Sequence, residues 1–181
     1  MLWTLFSIRY ATLNDARSIS TIYQQSTQSA YQDFMAEAPI YSHLLDRLEP
    51  FWAQKLAIPP TKDQRLLVAE YEGQVIGFVE IGAVTYPEEV ALESTGELHF
   101  LFVAPDFMGH GIGYRLLARA TELLREDGYY QTILWVFSRN LQARRFYERQ
   151  GWNTNGVERP DPALSFLSNP PLEVCYTLIL C

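Results

Sequence analysis

The chain has little positive charge and few cysteines. Its 181 residues include 14 Lys and Arg against 21 Asp and Glu, a net charge of −7 with no block of like charge. Nucleic acid binding requires clustered basic residues that neutralise phosphates, so we expect no nucleic-acid partner. The two cysteines, Cys175 and Cys181, are too far apart along one strand to form a disulfide. We therefore expect neither a disulfide framework nor a metal site.

Long apolar runs are also lacking. No window reaches the length of a membrane span, and the opening "MLWTLFSIRY" has neither a basic region before its apolar residues nor a small-residue cleavage site. We therefore predict a cytoplasmic protein with no membrane partner. A hydrophobic content of 48% with 14% aromatic residues is enough for a substantial core, so residues 1–181 are predicted to form a single domain.

The first half of the chain alternates between strand and helix patterns. "FSIRYA" is predicted as a strand, and Thr12 with Asp15 three residues later predicts the start of a helix. A second helix is expected within "YSHLLDRLEPFWAQKL". "RLLVAEYEGQVIGFVEIGAV" is typical of a β-hairpin that turns at Gly73.

The second half continues the same alternation. "ELHFLFV" is predicted as a strand covered on both faces and ended by Pro105, followed by a helix from Gly111 to Gly128. The strand "QTILWVF", a helix from Asn140 to Gly151 and the strand "LEVCYTLIL" complete the pattern of an α/β domain with a mixed sheet. Residues 153–172, which include four prolines, are predicted as a long loop before the final strand.

Three glycines, Gly109, Gly111 and Gly113, stand where the helix after "ELHFLFV" begins. Their G-x-G-x-G spacing fits neither the dinucleotide fingerprint nor the Walker A loop. Two interpretations remain open. The glycines permit a tight strand-to-helix turn, or they expose N–H groups at the helix N-terminus, where a pyrophosphate would bind.

Two segments, "VAPDFMGHGIGYRLL" and "NLQARRFYERQGW", resemble the two signature motifs of the GCN5-related N-acetyltransferase (GNAT) superfamily. The resemblance is strongest over residues 97–152, which it identifies as the acetyl-CoA-binding core. It implies a mixed sheet of six or seven strands, splayed beside strand 4, with helices on both faces. Acetyl-CoA, the implied co-substrate, would lie in the splay.

The resemblance also implies which residues bind acetyl-CoA. Met108, Gly111 and Gly113 match the family's pyrophosphate loop, in which Met108 replaces the Gln or Arg that the family favours; we expect its amide still to donate. The second motif is matched by Asn140, Ala143, Phe146, Tyr147, Gly151 and Trp152. The implied cofactor contacts are Phe102, Val103, Met108, Gly109, His110, Gly111, Ile112, Gly113, Tyr114, Asn140 and Tyr147.

Candidate catalytic residues follow from the chemistry of acyl transfer to an amine. Glu97 matches the general base of the histone-modifying members, and strict alternation places it with His99, Leu101 and Val103 on one face of the strand. His99 is a candidate proton relay. The alternatives are a solvated Glu97 at a strand start and a His99 that belongs to the core.

Tyr147 is the candidate acid for the departing thiolate. Asn140, Ala143 and Tyr147 share one helix face, which leaves room for a pantetheine arm; an interior tyrosine that packs with Phe146 is the alternative. We predict an acetyl-CoA-dependent N-acetyltransferase that transfers the acetyl group directly to a primary amine. A non-catalytic acyl-CoA-binding or sensing domain is the other hypothesis.

The acceptor is not identified by the sequence, and a homodimer is left open. Several aromatic residues could wall an acceptor pocket or belong to ordinary core and surface: Tyr31, Phe34, Tyr41, Trp52 and Tyr86.

Overall fold

A computed structural model describes residues 6–35, 47–86, 94–165 and 168–180. Within these ranges seven strands form one sheet in the order β1-β2-β3-β4-β5-β7-β6. The strands are β1 Ser7–Tyr10, β2 Gln64–Tyr71, β3 Gln74–Ala83, β4 Thr95–Val103, β5 Gln131–Phe137, β6 Asn153–Pro160 and β7 Leu172–Ile179. The pairs β1–β2, β2–β3, β3–β4, β5–β7 and β6–β7 are antiparallel, and β4–β5 is parallel. The predicted mixed sheet is confirmed.

Four helices lie along the described chain: α1 Ala16–Met35, α2 Leu48–Leu56, α3 Ile112–Glu126 and α4 Leu141–Arg149. A short 3₁₀ turn precedes α1, and Asp15 Oδ2 accepts the Thr12 N–H at 2.7 Å, as the predicted start requires. The predicted hairpin turn is confirmed too, since Gly73 has a φ of +79° between β2 and β3. Residues 87–93, between the predicted hairpin and the strand "ELHFLFV", lie outside the described residues.

Helices cover both faces of the sheet. One face carries α3 and α4, whose buried leucines and Tyr147 join a core cluster with Leu134 and Val174. The other face carries α1 and α2, whose Ile19 and Trp52 pack with Phe78 in a second cluster. Each Å² of buried apolar surface stabilises the fold by ~25 cal/mol, so these clusters supply the main driving force for folding. The predicted two-sided arrangement is confirmed.

The sheet is splayed between β4 and β5. The two strands pair only at Thr95–Gln131, Gly96–Thr132 and Glu97–Ile133. Beyond these pairs β4 continues to Val103 and β5 to Phe137 without pairing to each other. The predicted opening beside the fourth strand is therefore present, and Glu97 lies where it begins.

The side-chain alternation predicted for β4 is partly wrong, because the strand contains a β-bulge. Glu80 of β3 pairs with Phe100 and Ile81 pairs with Leu98, which leaves His99 as the extra residue. One extra residue exchanges the faces of all later side chains. Leu101 and Val103 consequently pack on the α3 and α4 face, together with Leu98 rather than with Glu97 and His99.

The predicted loop over residues 153–172 is also wrong in part. Asn153–Pro160 forms β6, which pairs with β7, and Pro162–Leu164 forms a 3₁₀ turn that begins at Asp161. This strand could not be predicted because β6 is exposed along most of its length and shows no apolar alternation. Its proline, Pro160, pairs at the strand end, where a missing N–H is tolerated.

Candidate active site at the splay

A glycine turn leads into α3 beside the splay. Gly109 and Gly111 have φ angles of +79° and +78°, in the left-handed region. A Cβ built on either glycine would meet no described atom within 4 Å, so the backbone conformation and not crowding requires glycine there. The sequence therefore folds this loop into a turn that only glycine adopts without strain.

The turn presents the N-terminus of α3 to solvent. The Arg115 N–H donates to the Gly111 carbonyl oxygen at 3.1 Å as the first bond of the helix, so the N–H groups of Ile112, Gly113 and Tyr114 precede the intrahelical ladder. Unsatisfied donors and the positive end of the helix dipole attract an anion at this position. This arrangement supports the phosphate interpretation of the glycines.

Met108 does not contribute in the expected way. Its amide donates to the Pro105 carbonyl oxygen at 3.2 Å, so the expectation of a phosphate bond from this amide is wrong. The side chain is 49% exposed at the edge of the turn. His110 is exposed as well, and its Nδ1 lies 3.3 Å from the Phe107 carbonyl oxygen.

Gly113 lies between β4 and α4, where its own neighbours leave room. A Cβ there would be 3.6 Å from the side chains of both Val103 and Phe146, an ordinary contact. The fold does not therefore demand glycine at this position. A larger side chain would narrow the space between β4 and α4, which is the space that the splay opens.

Glu97 is buried on the α1 and α2 face and is not solvated at the strand start. It is 6% exposed, and its Oε2 accepts the Thr85 N–H at 2.6 Å. His99 Nε2 lies 3.6 Å from the same oxygen and 2.9 Å from the Ala83 carbonyl oxygen. Because a carbonyl only accepts, Nε2 is the nitrogen that carries the proton. The prediction that Glu97 and His99 share one face of the strand is confirmed, and the two side chains are in contact.

A second carboxylate, Glu80 of β3, lies on the other side of His99. Glu80 is fully buried, and its Oε1 is 2.5 Å from Lys55 Nζ of α2 and 4.0 Å from His99 Nδ1. Sequence analysis missed this residue. A single acidic residue inside the apolar strand "QVIGFVEIGA" is the signal that could have found it, because an unpaired charge is rarely buried.

Tyr147 reaches the core from α4 on the opposite face of the sheet. It is 7% exposed and packs edge-on against Phe146 and Trp152, with ring centroids 5.2 and 5.9 Å apart. Burial raises the pKa of the Tyr147 phenol above its usual range. The hydroxyl therefore stays protonated at neutral pH and is available as a donor.

Asn140 has the N-cap role expected for the start of α4. Its Oδ1 accepts the Ala143 N–H at 3.0 Å, and its main-chain carbonyl accepts the Arg144 N–H at 3.0 Å. Arg144 is held by Ser138 and Tyr176, at 2.8 Å and 3.1 Å, and so is not a freely solvated charge. The Asn140 cap starts the helix that carries Tyr147.

Phe102 and Val103 form the β4 side of the opening. Both pair with β3, through Phe78 and Gly77, while β5 has already diverged. The edge of β4 that faces the splay is thus open to another hydrogen-bonding partner in the described part of the sheet. The Val103 carbonyl oxygen accepts a bond from Ser26 of α1 at 3.4 Å.

A charged wall lies on the Glu97 face of β5, β6 and β7. Arg159 donates from Nε to Glu173 Oε2 at 3.2 Å, and its guanidinium lies 3.8 Å from the ring centroid of Trp135 and 5.1 Å from that of Tyr86. Burial raises the pKa of the Glu173 carboxyl to about 7, with a further contribution from Asp161 that Arg159 opposes. Sequence analysis did not single out this pair, because it depends on the register of β6 with β7.

The structure places two of the aromatic residues for which both an acceptor wall and ordinary core or surface were left open. Tyr86 lies beside Arg159, whereas Trp52 is fully buried in the α1 and α2 core. The side chains of Tyr31, Phe34 and Tyr41 lie outside the described residues.

Neither a metal-ligating cluster nor a membrane-spanning helix lies within the described ranges. No group of three or more metal-ligating side chains was found there. No described helix has the length and apolar character needed to cross a membrane.

Tyr147 and the contacting residues Glu97 and His99 lie on opposite faces of the sheet. Tyr147 approaches from the α4 side, and Glu97 with His99 approaches from the α1 and α2 side. The fold thus holds a buried carboxylate where the splay begins and a buried phenol in the core on the other face of the sheet. Such a site suits acyl transfer.

Comparison with known proteins gives a consistent result. The sequence model of the acetyltransferase (GNAT) family matches residues 22–152. An uncharacterized N-acetyltransferase of Archaeoglobus fulgidus is 39% identical over 47% of this chain, and another from Methanocaldococcus jannaschii is 34% identical over 50%. The chain spans 57% and 39% of the lengths of these two relatives.

Solved structures share the fold. The PaiA N-acetyltransferase of Thermoplasma acidophilum, in complex with coenzyme A, superposes with a TM-score of 0.76 at 18% identity, over 96% of this chain and 98% of that one. The likeness extends over nearly the whole length of both chains.

Proposed function

Because the chain belongs to the acetyltransferase (GNAT) family, we propose that it binds acetyl-CoA at the splay and transfers the acetyl group to a primary amine. The observation that carries this proposal is the glycine turn before α3, which presents N–H groups beside a sheet that opens at Glu97. The coenzyme A in the Thermoplasma relative supports the choice of donor.

Binding would rest on three parts of the chain. The amides from Gly109 to Tyr114 would receive the pyrophosphate, at the positive end of α3. The open edge of β4 at Phe102 and Val103 would pair with the amides of the pantetheine arm. Asn140 and Tyr147 would border the arm from α4, with Gly113 leaving the room that it needs.

Glu97 would act as the base. A primary amine resembles the lysine side chain, whose reference pKa is about 10.4, and is therefore an ammonium ion at neutral pH. Glu97 takes one proton, the neutral nitrogen attacks the thioester carbonyl, a C–N bond forms and the C–S bond breaks. His99, whose Nε2 donates to the Ala83 carbonyl oxygen, would pack beside the carboxylate at 3.6 Å. General base catalysis of this kind contributes about 10²- to 10⁴-fold.

Tyr147 would assist the leaving sulfur. A thiol has a reference pKa of about 8.5, lower than that of a phenol, so in water a phenol would not readily give its proton to the leaving thiolate. Burial, however, disfavours a thiolate as it does a phenolate. The Tyr147 hydroxyl can therefore donate a hydrogen bond to sulfur and deliver its proton as the C–S bond breaks, regaining one from the nitrogen through solvent.

Direct transfer is the route that we favour over an acyl-enzyme. Cys175, the cysteine within the described residues, is buried in β7, away from the glycine turn and α4. Direct transfer requires both substrates on the enzyme together. Initial rates measured against both substrates should give intersecting lines, whereas parallel lines would indicate an acyl-enzyme.

Ligand binding and turnover test the proposal together. Acetyl-CoA and coenzyme A should raise the melting temperature, since a ligand of the folded state stabilises it by mass action, and NADH should not. Release of the coenzyme A thiol should then identify an acceptor in a panel of amines. Binding without turnover of any amine would favour the acyl-CoA-sensing alternative, and absence of acetyl-CoA binding would overturn both.

A cytoplasmic location and a homodimer remain predictions from the sequence. Sedimentation of the purified chain would determine its oligomeric state.

A further inference from the structure

We propose that Glu173 of β7 is a specificity residue of the acceptor side, where its carboxylate pairs with the acceptor while the acceptor is still an ammonium ion. This proposal rests on the proposed function, and it names the class of acceptor as cationic amines. Glu97 would then remove the proton.

The first support is the face on which Glu173 lies. Its neighbours Val174 and Tyr176 pack in the α3 and α4 core, and β7 follows the alternation of a regular strand. Val174 points to that core, so Glu173 points to the opposite face, the one on which Glu97 lies. The stacking of Arg159 on Trp135, at 3.8 Å, lies on the same face.

The second support is that the carboxylate is held in one orientation. Arg159 Nε donates to Glu173 Oε2 at 3.2 Å, and the two side chains are only 13% and 15% exposed. Trp135 and Tyr86 lie beside the guanidinium and restrict its movement. No hydrogen bond joins the other oxygen, Oε1, to any residue that the structure describes. One oxygen is thus anchored and the other remains for a ligand.

The third support is the balance of charge around it. The charged groups that act on Glu173 are Arg159 of β6, Asp161 at the end of β6 and Glu97 of β4. Among the described residues, Arg159 pairs with Glu173 in a partly buried region, while the carboxylates of Asp161 and Glu97 repel the charge of Glu173. Such a region disfavours anions and gains from a cation that enters, which an ammonium ion would supply.

If the acceptor pairs with Glu173, acceptor binding should depend on pH and cofactor binding should not. Burial first, and then Asp161, raise the pKa of Glu173 to about 7, while Arg159 opposes the rise and Glu97 adds to it. Glu173 is then mostly protonated at pH 6 and mostly ionised at pH 8. An acceptor that pairs with the carboxylate should bind about tenfold more tightly at the higher pH.

The test compares Glu173→Gln with the control Glu158→Gln, using the panel amine with the fastest turnover. Glu158 lies on exposed β6 opposite Val174 and acts on Arg144, on the other face of the sheet. Wild type and the control should show an acceptor KM that falls about tenfold from pH 6 to pH 8. In Glu173→Gln the KM at pH 8 should rise about tenfold and lose its pH dependence, with kcat and acetyl-CoA affinity kept.

Binding measured directly keeps the proposal testable even without turnover. With coenzyme A present, phenethylamine, which stays cationic over this pH range, should bind wild type more tightly at pH 8, and neutral 2-phenylethanol should show no such change. A pH dependence that persists in Glu173→Gln, or no binding of either the panel amines or phenethylamine, would overturn the proposal. Intact acetyl-CoA binding in that case would leave the proposed function standing.

Discussion

Glu97 is the last residue of β4 that pairs with β5, and Ile133 is its partner there. The strand pair therefore ends at the residue that carries the candidate base. The Glu97 carboxylate is fixed at the point where the opening begins, because it is buried and accepts the Thr85 N–H at 2.6 Å. An amine bound at Glu97 would therefore lie where the two strands separate.

Replacing Glu97 with Gln should lower kcat about 10²- to 10⁴-fold, because the amide cannot take the proton of the ammonium ion. The fold should survive, since the Gln side-chain oxygen can still accept the Thr85 N–H. Steady-state rates with acetyl-CoA and the best amine of the panel provide the measurement. Glu122→Gln, an equal charge change on the exposed face of α3, is the control and should leave kcat unchanged. Equal rates for wild type and Glu97→Gln would exclude Glu97 as the base.

Replacing Tyr147 with Phe should lower kcat and leave the affinity for acetyl-CoA nearly unchanged, because the ring still packs on Phe146 and Trp152 while the proton donor is lost. The matched control is Tyr176→Phe. The Tyr176 hydroxyl bonds to Glu148 at 2.6 Å and to Arg144 at 3.1 Å, so this variant should lose about 1 to 2 kcal/mol of stability and keep its kcat. The same kcat loss in both variants would mean that Tyr147 acts only through packing.

Replacing Gly111 with Ala should weaken acetyl-CoA binding about tenfold or more, because Ala strains the left-handed turn that presents the amides of α3. Gly128, with a φ of +86° at the other end of α3, is the matched control. Both variants should lose about 1 to 2 kcal/mol of stability, which denaturant unfolding would measure. Calorimetric titration should find the loss of affinity in Gly111→Ala alone. Equal affinities in the two variants would remove the turn from the binding site.

Glu173 should also make stability depend on pH. Its pKa is raised by burial from 4.5 to about 7, so between these values the folded protein binds more protons than the unfolded chain. The free energy of unfolding should therefore fall as pH rises from about 4.5 to about 7, by about 1 to 3 kcal/mol. Denaturant unfolding at a series of pH values measures this. The difference between Glu173→Gln and wild type should change with pH over that window, and Glu158→Gln should run parallel to wild type.

Much of the fold could be predicted because its signals are local. The amphipathic helices α3 and α4, the caps at Asn140 and Gly128 and the turn at Gly73 all follow from residues close together in the chain. Features that depend on pairing between distant strands could not be predicted. The bulge at His99 is set by the register with β3 and changes the face of Leu101, while the exposed strand β6 exists only because β7 pairs with it.

The candidate site divides in the same way. The glycine turn, Glu97 and Tyr147 lie in motifs that the sequence shows. Glu80 with Lys55, and Glu173 with Arg159, are ion pairs between residues 25 and 14 positions apart, brought together by tertiary structure. A sequence shows that such charges exist but does not show which of them meet.

The sheet has two halves, β1 to β4 and β5 to β7, and only three residue pairs between β4 and β5 join them. Beyond these three pairs, the helices that pack on the sheet hold the two halves together. A molecule bound in the opening would form hydrogen bonds to the free edge of β4 and fill the space between β4 and β5. Bound acetyl-CoA would thereby connect the two halves of the sheet, and the protein would be most rigid with this substrate in place.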